Sequence, residues 1–104
     1  MIDDQSLARS MKALAHPRRA MIFRLLAQDP GAGRGFRRLA DRTRLRDSSL
    51  AHHLREMERG GLLRRHRRGA EVVFSLSVTE LTQALAIALR LGEASRSSGP
   101  QRAA

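Results

Sequence analysis

The 104-residue sequence has the length of one compact domain, and 41% hydrophobic residues are enough to fill its core. Its formal net charge of +10 rests almost wholly on arginine, Lys12 being the only lysine, so a polyanion is the natural partner. The absence of cysteine excludes disulfides, thiolate metal centres and thiol redox switching, and three Phe with no Tyr or Trp argue against the stacking platforms of single-strand binders.

Asp3 or Asp4 is positioned to cap a first helix whose apolar positions Leu7, Met11 and Leu14 fall at i, i+4 and i+7. His16-Pro17 breaks that helix and starts a second, because proline disfavours helical geometry before it yet suits a helix's first turn. The second helix runs to about Gln28 through Ile22, Phe23, Leu25 and Leu26, and Asp29-Pro30-Gly31-Ala32-Gly33 is a loop. Met-Ile-Asp-Asp is no signal peptide and no apolar run reaches a membrane span, so a cytoplasmic protein without a membrane partner is expected.

Phe36, Leu39 and Ala40 mark a short third helix to about Arg42. Thr43-Arg44-Leu45-Arg46 is a turn, with Leu45 as its buried anchor. A fourth helix opens at Asp47 or Arg46, where an aspartate suits the positive helix end and can cap free N–H groups. Leu50, Leu54 and Met57 give it an apolar stripe, and Ser48, Ser49, His52, Arg55, Glu56 and Arg59 lie on the other side. Gly60-Gly61 ends it. Two short strands follow, Leu62-Leu63 leading one and Val72, Val73, Phe74 and Leu76 the other, with Arg67-Arg68-Gly69 between them.

Two helices joined by a tight turn and followed by a basic hairpin have the pattern of a helix-turn-helix with a wing. Between Arg34 and Arg68 lie twelve arginines against four acids, a local charge of +8. Like charges crowded on one hairpin repel unless an anion lies against them, and DNA phosphates meet that need. After the wing, Ser77-Val78-Thr79-Glu80 matches a capping box. The helix it opens carries Leu81, Ala84, Leu85, Ile87, Ala88, Leu89 and Leu91, too many for one buried stripe, so its second face is expected on another subunit. From residue 95 to 104 the composition is that of a disordered tail, leaving 1–94 as the domain.

Catalytic patterns are missing: no nucleophile–base pairing, no carboxylate dyad, and Gly31-Ala32-Gly33-Arg34-Gly35 lacks the strand and lysine of a phosphate loop. The expectation is a protein that is not an enzyme. Metal binding would have to use His16, His52, His53 and His66. The adjacent His52 and His53 point about 100° apart on a helix, so no metal site and no cofactor are expected.

Lys12-Ala13-Leu14-Ala15-His16-Pro17-Arg18-Arg19, Leu25-Leu26, Leu39-Ala40 and above all Ser48-Ser49-Leu50-Ala51-His52-His53-Leu54, followed by Gly61-Leu62-Leu63, resemble the ArsR family of bacterial winged-helix repressors. The likeness spans about Leu7 to Leu91. It implies a mainly α protein with a small β-hairpin, in the order helix-helix-helix-helix-hairpin-helix. It also implies a homodimer built from the first and last helices, which assigns the interface to Leu7, Met11, Leu81, Leu85, Ala88 and Leu89. Two-fold symmetry would set the paired fourth helices in successive major grooves of a pseudo-palindromic operator, about 34 Å apart.

Arg46, Asp47, Ser48, Ser49, His52, His53 and Arg55 are then the DNA-facing residues of the helix, and Arg65, Arg67 and Arg68 those of the wing. His53, beside Leu54, can instead be buried and structural. Where many relatives carry a metal-sensing Cys pair in the third helix this chain has Gly35 and Arg37, and between Val78 and Leu91 its last helix offers only Glu80 as a ligand, with no His. Repression released by an effector is implied, with neither thiol nor metal sensing it; the alternatives are an organic ligand between the first and last helices, a protein partner, or no effector at all. Two other readings stay open: a non-specific architectural DNA- or RNA-binding protein, and a winged protein–protein module.

Overall fold

The computed structural model describes residues 3–28, 33–77 and 80–98, which form five helices and three strands. The helices are α1 (Asp4–Leu14), α2 (Pro17–Ala27), α3 (Phe36–Thr43), α4 (Asp47–Arg59) and α5 (Glu80–Ser98). The strands are β1 (Arg34–Gly35), β2 (Leu63–Arg68) and β3 (Glu71–Leu76), in the antiparallel order β1-β3-β2. The architecture is the winged helix-turn-helix expected from the sequence, with β1 added. The sequence places Gly33 in a loop and Arg34-Gly35 in a glycine-rich one. These two residues instead pair with Phe74 and Val73. A two-residue strand carries no alternation to read, and its pairing comes from the tertiary fold.

Local chemistry sets each boundary. Asp3 caps α1 by accepting from the backbone N–H and hydroxyl of Ser6. Pro17 occupies the first turn of α2, and His16 caps it through Nδ1, which accepts from the Arg18 N–H at 3.1 Å. Helix α4 ends in two nested hydrogen bonds, Gly61 N–H to the Glu58 carbonyl and Leu62 N–H to that of Met57, both 3.0 Å. Gly61 sits in the left-handed region at φ 78°, as that Schellman arrangement requires.

Ile22, Leu26, Leu39, Leu50, Leu54, Met57, Leu62, Leu63, Phe74 and Leu81 make the core, with Leu7, Leu14, Phe23, Phe36, Leu45, Val72 and Leu76 packed around it. Leu45 thus anchors the turn. The Ser10 hydroxyl, buried on α1, donates to the Gly60 carbonyl at 2.6 Å and ties α1 to the end of α4.

Two sequence expectations change here. Leu81, assigned to a subunit interface, is a core residue 3% exposed, because the start of α5 must cover the same cluster as α4 and the hairpin. Helix α5 also continues through Ser98, past residue 95 where the sequence places the start of a tail; serine is tolerated in a helix, and no glycine or proline falls between residues 95 and 98. The Ser77 hydroxyl donates to the Gly61 carbonyl at 2.7 Å, while Val78 and Thr79 of the expected capping box lie outside the described residues, as do residues 29–32 and 99–104.

Candidate nucleic-acid interface

Helix α4 reaches solvent along one side because Leu50, Leu54 and Met57 hold the other side in the core. Ser48, His52 and Arg55 are exposed at i, i+4 and i+7, and Ser49 beside them is half-buried. Arg46 precedes the helix, exposed, in an extended conformation. The turn feeding it is held by Thr43, whose hydroxyl donates to the Leu39 carbonyl at 2.7 Å and accepts from the Leu45 N–H. Arg44 closes α3 at φ 61°, the one non-glycine residue with positive φ among the described residues.

Asp47 behaves differently from the sequence expectation. It is the first residue of α4 and not its cap; Arg46 holds the cap position without a side-chain hydrogen bond. The Asp47 carboxylate accepts two hydrogen bonds from the Arg37 guanidinium, at 2.9 and 3.3 Å. Both side chains are exposed, so the pair adds little stability, but it offsets a negative charge at the helix end that a phosphate would approach. The sequence names Arg37 only at the place of an absent cysteine and gives no sign of this pairing. Ten residues separate the partners, and only the angle between α3 and α4 brings them together.

His53 leaves the DNA-facing set. It is 6% exposed, with the His16 ring 4.7 Å away and the His52 ring 5.6 Å away. The Arg19 Nε donates to His53 Nδ1 at 3.1 Å, which fixes the neutral ring with its proton on Nε2. Burial, then the neighbouring His16, Arg19, His52 and Arg18, lower its pKa from the ordinary 6.5. His52, one residue earlier, is exposed. Their separate fates follow from the helical turn of about 100° per residue.

The wing is a hairpin whose turn is Gly69-Ala70, with Gly69 at φ 65° supplying the positive angle that a two-residue loop needs. Arg67 and Arg68 stand opposite Val72 and Glu71 at the last rungs. Arg64, Arg65, His66, Arg67 and Arg68 are all exposed. Arg65 and Arg67 share a face with their cross-strand partners Phe74 and Val72. On that face Arg65 Nε lies 3.9 Å from Glu58 of α4, so strand and helix meet through a long ion pair. Arg55 of α4 and Arg65 of β2 border one cleft, so the exposed side of the helix adjoins the arginine strand of the wing.

Among the described residues no group of three or more His, Cys, Asp or Glu could hold a metal ion. No helix among them is long and apolar enough to cross a membrane. Of the residues assigned to a subunit interface, Leu7 is half-buried against the core, and Met11, Leu85, Ala88 and Leu89 are exposed on α1 and α5.

A family model described as a helix-turn-helix domain matches residues 14–66. Among solved structures, HlyU from Vibrio cholerae is similar at 28% identity and a TM-score of 0.67, over 84% of this chain and 91% of that one. The transcriptional repressor PagR of Bacillus anthracis is similar at 25% identity and a TM-score of 0.68, over 81% and 93%. A homodimeric winged helix-turn-helix DNA-binding domain from Mycobacterium bovis, described as a possible ArsR-family transcriptional regulator, shares the fold at 23% identity and a TM-score of 0.68, over 95% and 89%. No curated protein sequence matches the chain.

Proposed function

Because the chain belongs to the helix-turn-helix domain family, in the winged form of the ArsR-family regulators, we propose that it is a homodimeric, sequence-specific repressor acting in the cytoplasm on a pseudo-palindromic operator. The observation that carries this reading is the union of two exposed features on one surface: the Ser48-His52-Arg55 stripe of α4 and the arginine strand of the wing. In this reading α4 enters the major groove. Ser48, Ser49 and His52 meet base edges, hydroxyls serving as donor or acceptor and imidazole as either. Arg46, Arg55, Arg65, Arg67 and Arg68 meet phosphates, and the wing tip reaches the flanking backbone or minor groove.

Two copies would join through exposed apolar residues of α5, with Leu85 and Leu89 on one side and Ile87 and Leu91 on the other, all 39–66% exposed, together with Met11 of α1 at 54%. PagR is a transcriptional repressor and the Mycobacterium bovis domain a homodimer, which favours the same arrangement here. Release from the operator would use no thiol, since the chain has no cysteine, and no metal, since no group of three or more His, Asp or Glu comes together among the described residues.

The test is selection of duplexes from a random pool at two salt concentrations. An enriched two-fold motif at both is the expected result. Retention of duplexes without a motif, weakening steeply with salt, would make the protein a non-specific architectural binder. No retention by folded protein would point to a protein–protein module.

A further inference from the structure

Between α4 and the wing lies a cleft of about 430 Å³ that DNA contacts do not explain. Its walls are Leu54, Phe36, Phe74 and Val72, its floor includes Ala51, and Arg55, Glu58 and Arg65 stand at its rim. The gap has a local cause. Ala51 puts the smallest helix-forming side chain on the α4 side of the cleft, opposite a wing that contributes Arg65, Val72 and Phe74 to its lining. The volume and the ratio of apolar wall to few polar groups are those of small-molecule sites.

The rim limits the ligand's charge. Two arginines against one glutamate leave a net +1, enough for one negative group. Arg55 has no ion pair among the described residues, and the Arg65–Glu58 contact is long at 3.9 Å, so both guanidinium groups keep donors to give. A planar guanidinium fork matches a carboxylate in two parallel hydrogen bonds. The walls suit an aromatic body and the rim a monoanionic head.

We propose that this cleft is an effector site for an aromatic carboxylate, and that its occupation opposes DNA binding. The opposition rests on the DNA reading above, in which Arg55 and Arg65 neutralise phosphates. A carboxylate that engages these guanidinium groups removes them from the phosphates and sits between helix and wing. By linkage, duplex must weaken the carboxylate by the factor with which the carboxylate weakens duplex.

The full chain, labelled with ¹⁵N, is titrated with 2-naphthoate and with neutral 2-naphthamide. We expect saturable shifts at Ala51, Leu54, Val72 and Phe74 for naphthoate, and binding weaker by about tenfold for the amide, as loss of a charge-assisted pair implies. Arg65→Gln should erase that preference. Ala51→Leu should fill the cleft and abolish both titrations while the spectrum stays folded; Val72→Phe closes it from the wing side if the helix variant does not fold. Saturating naphthoate should weaken affinity for a selected duplex by about tenfold, within the usual range of coupling. Shifts that cluster instead on Met11 and Leu85–Leu91, no shifts, equal binding of acid and amide, or unchanged duplex affinity would each overturn the proposal. If the chain binds no duplex even without naphthoate, the DNA reading has failed, and the shift titration alone decides the cleft.

Discussion

At the scale of single residues, His52 and His53 divide the labour of their helix by pointing about 100° apart, one to solvent and one into the fold. Adjacent histidines are equivalent in a sequence, and only the position of His16 and Arg19 of α2 reveals which one is enclosed. The neutral state of His53 has a measurable consequence. Its pKa is lowered in the fold, while the unfolded chain titrates near 6.5, so between the two values only the unfolded state takes up the proton. Its contribution to stability is therefore complete above about pH 6.5, falls as the pH drops below that, and levels off beneath the folded pKa. Urea unfolding at pH 7.5 and 5.5 should show the loss, and His53→Gln, which keeps an acceptor for Arg19, should lessen it. A variant with the wild-type pH dependence would rule His53 out as the cause. On the DNA-facing side, Arg67→Ala and Arg68→Ala should each weaken binding to every duplex and flatten the log–log salt slope by about one unit. Ser49→Ala or His52→Ala should change sequence preference, by about 1–3 kcal/mol per lost base contact. Four indistinguishable profiles across varied duplexes would refute this division between phosphate and base contacts.

At the scale of elements, α1, α2 and α4 were legible because each has apolar spacing and a chemical boundary: an aspartate at 3 or 4, Pro17 and the Gly60-Gly61 pair. The wing was legible from its β-branched second strand and Gly69. Relations between elements were not. Strand β1 and the Arg37–Asp47 pair depend on distances across the fold that no local pattern encodes. Gly60 is one such hidden junction. A Cβ there would lie 2.4 Å from that of Ala13, so α1 and α4 can touch only through a glycine. Gly60→Ala should therefore cost about 1–3 kcal/mol of stability by overpacking, read as a lower urea midpoint. An unchanged midpoint would mean that α1 shifts freely against α4. The same loosening would change how any surface on α1 is set relative to the DNA-facing side of α4.

At the scale of the whole molecule, the shape is unusual for a chain of this length. Its extents are 54 × 28 × 23 Å and its radius of gyration is 16.3 Å, against about 13 Å for a compact domain of 100 residues. The excess length accords with α5, a 19-residue helix that buries Leu81 at its start and leaves Leu85, Ile87, Leu89 and Leu91 to solvent. The surplus of apolar residues was visible in the sequence, whereas the handover from core to surface within α5 was not. Apolar side chains in such number on one projecting helix favour a second copy as their cover. A charge there would be stranded in the interface, so Leu85→Glu or Ala88→Glu should give monomers in sedimentation and lose tight operator binding. A dimeric variant would move the interface elsewhere. Two subunits presenting paired helices to one duplex is the arrangement from which operator symmetry follows, and it is tested most directly by affinity and stoichiometry on a selected operator, before and after one half-site is scrambled at fixed salt. Two chains per operator and a loss of about a hundredfold or more on scrambling are expected, since each mismatched base pair typically costs 1–3 kcal/mol. One chain per operator, with equal affinity for the intact and scrambled duplexes, would contradict it.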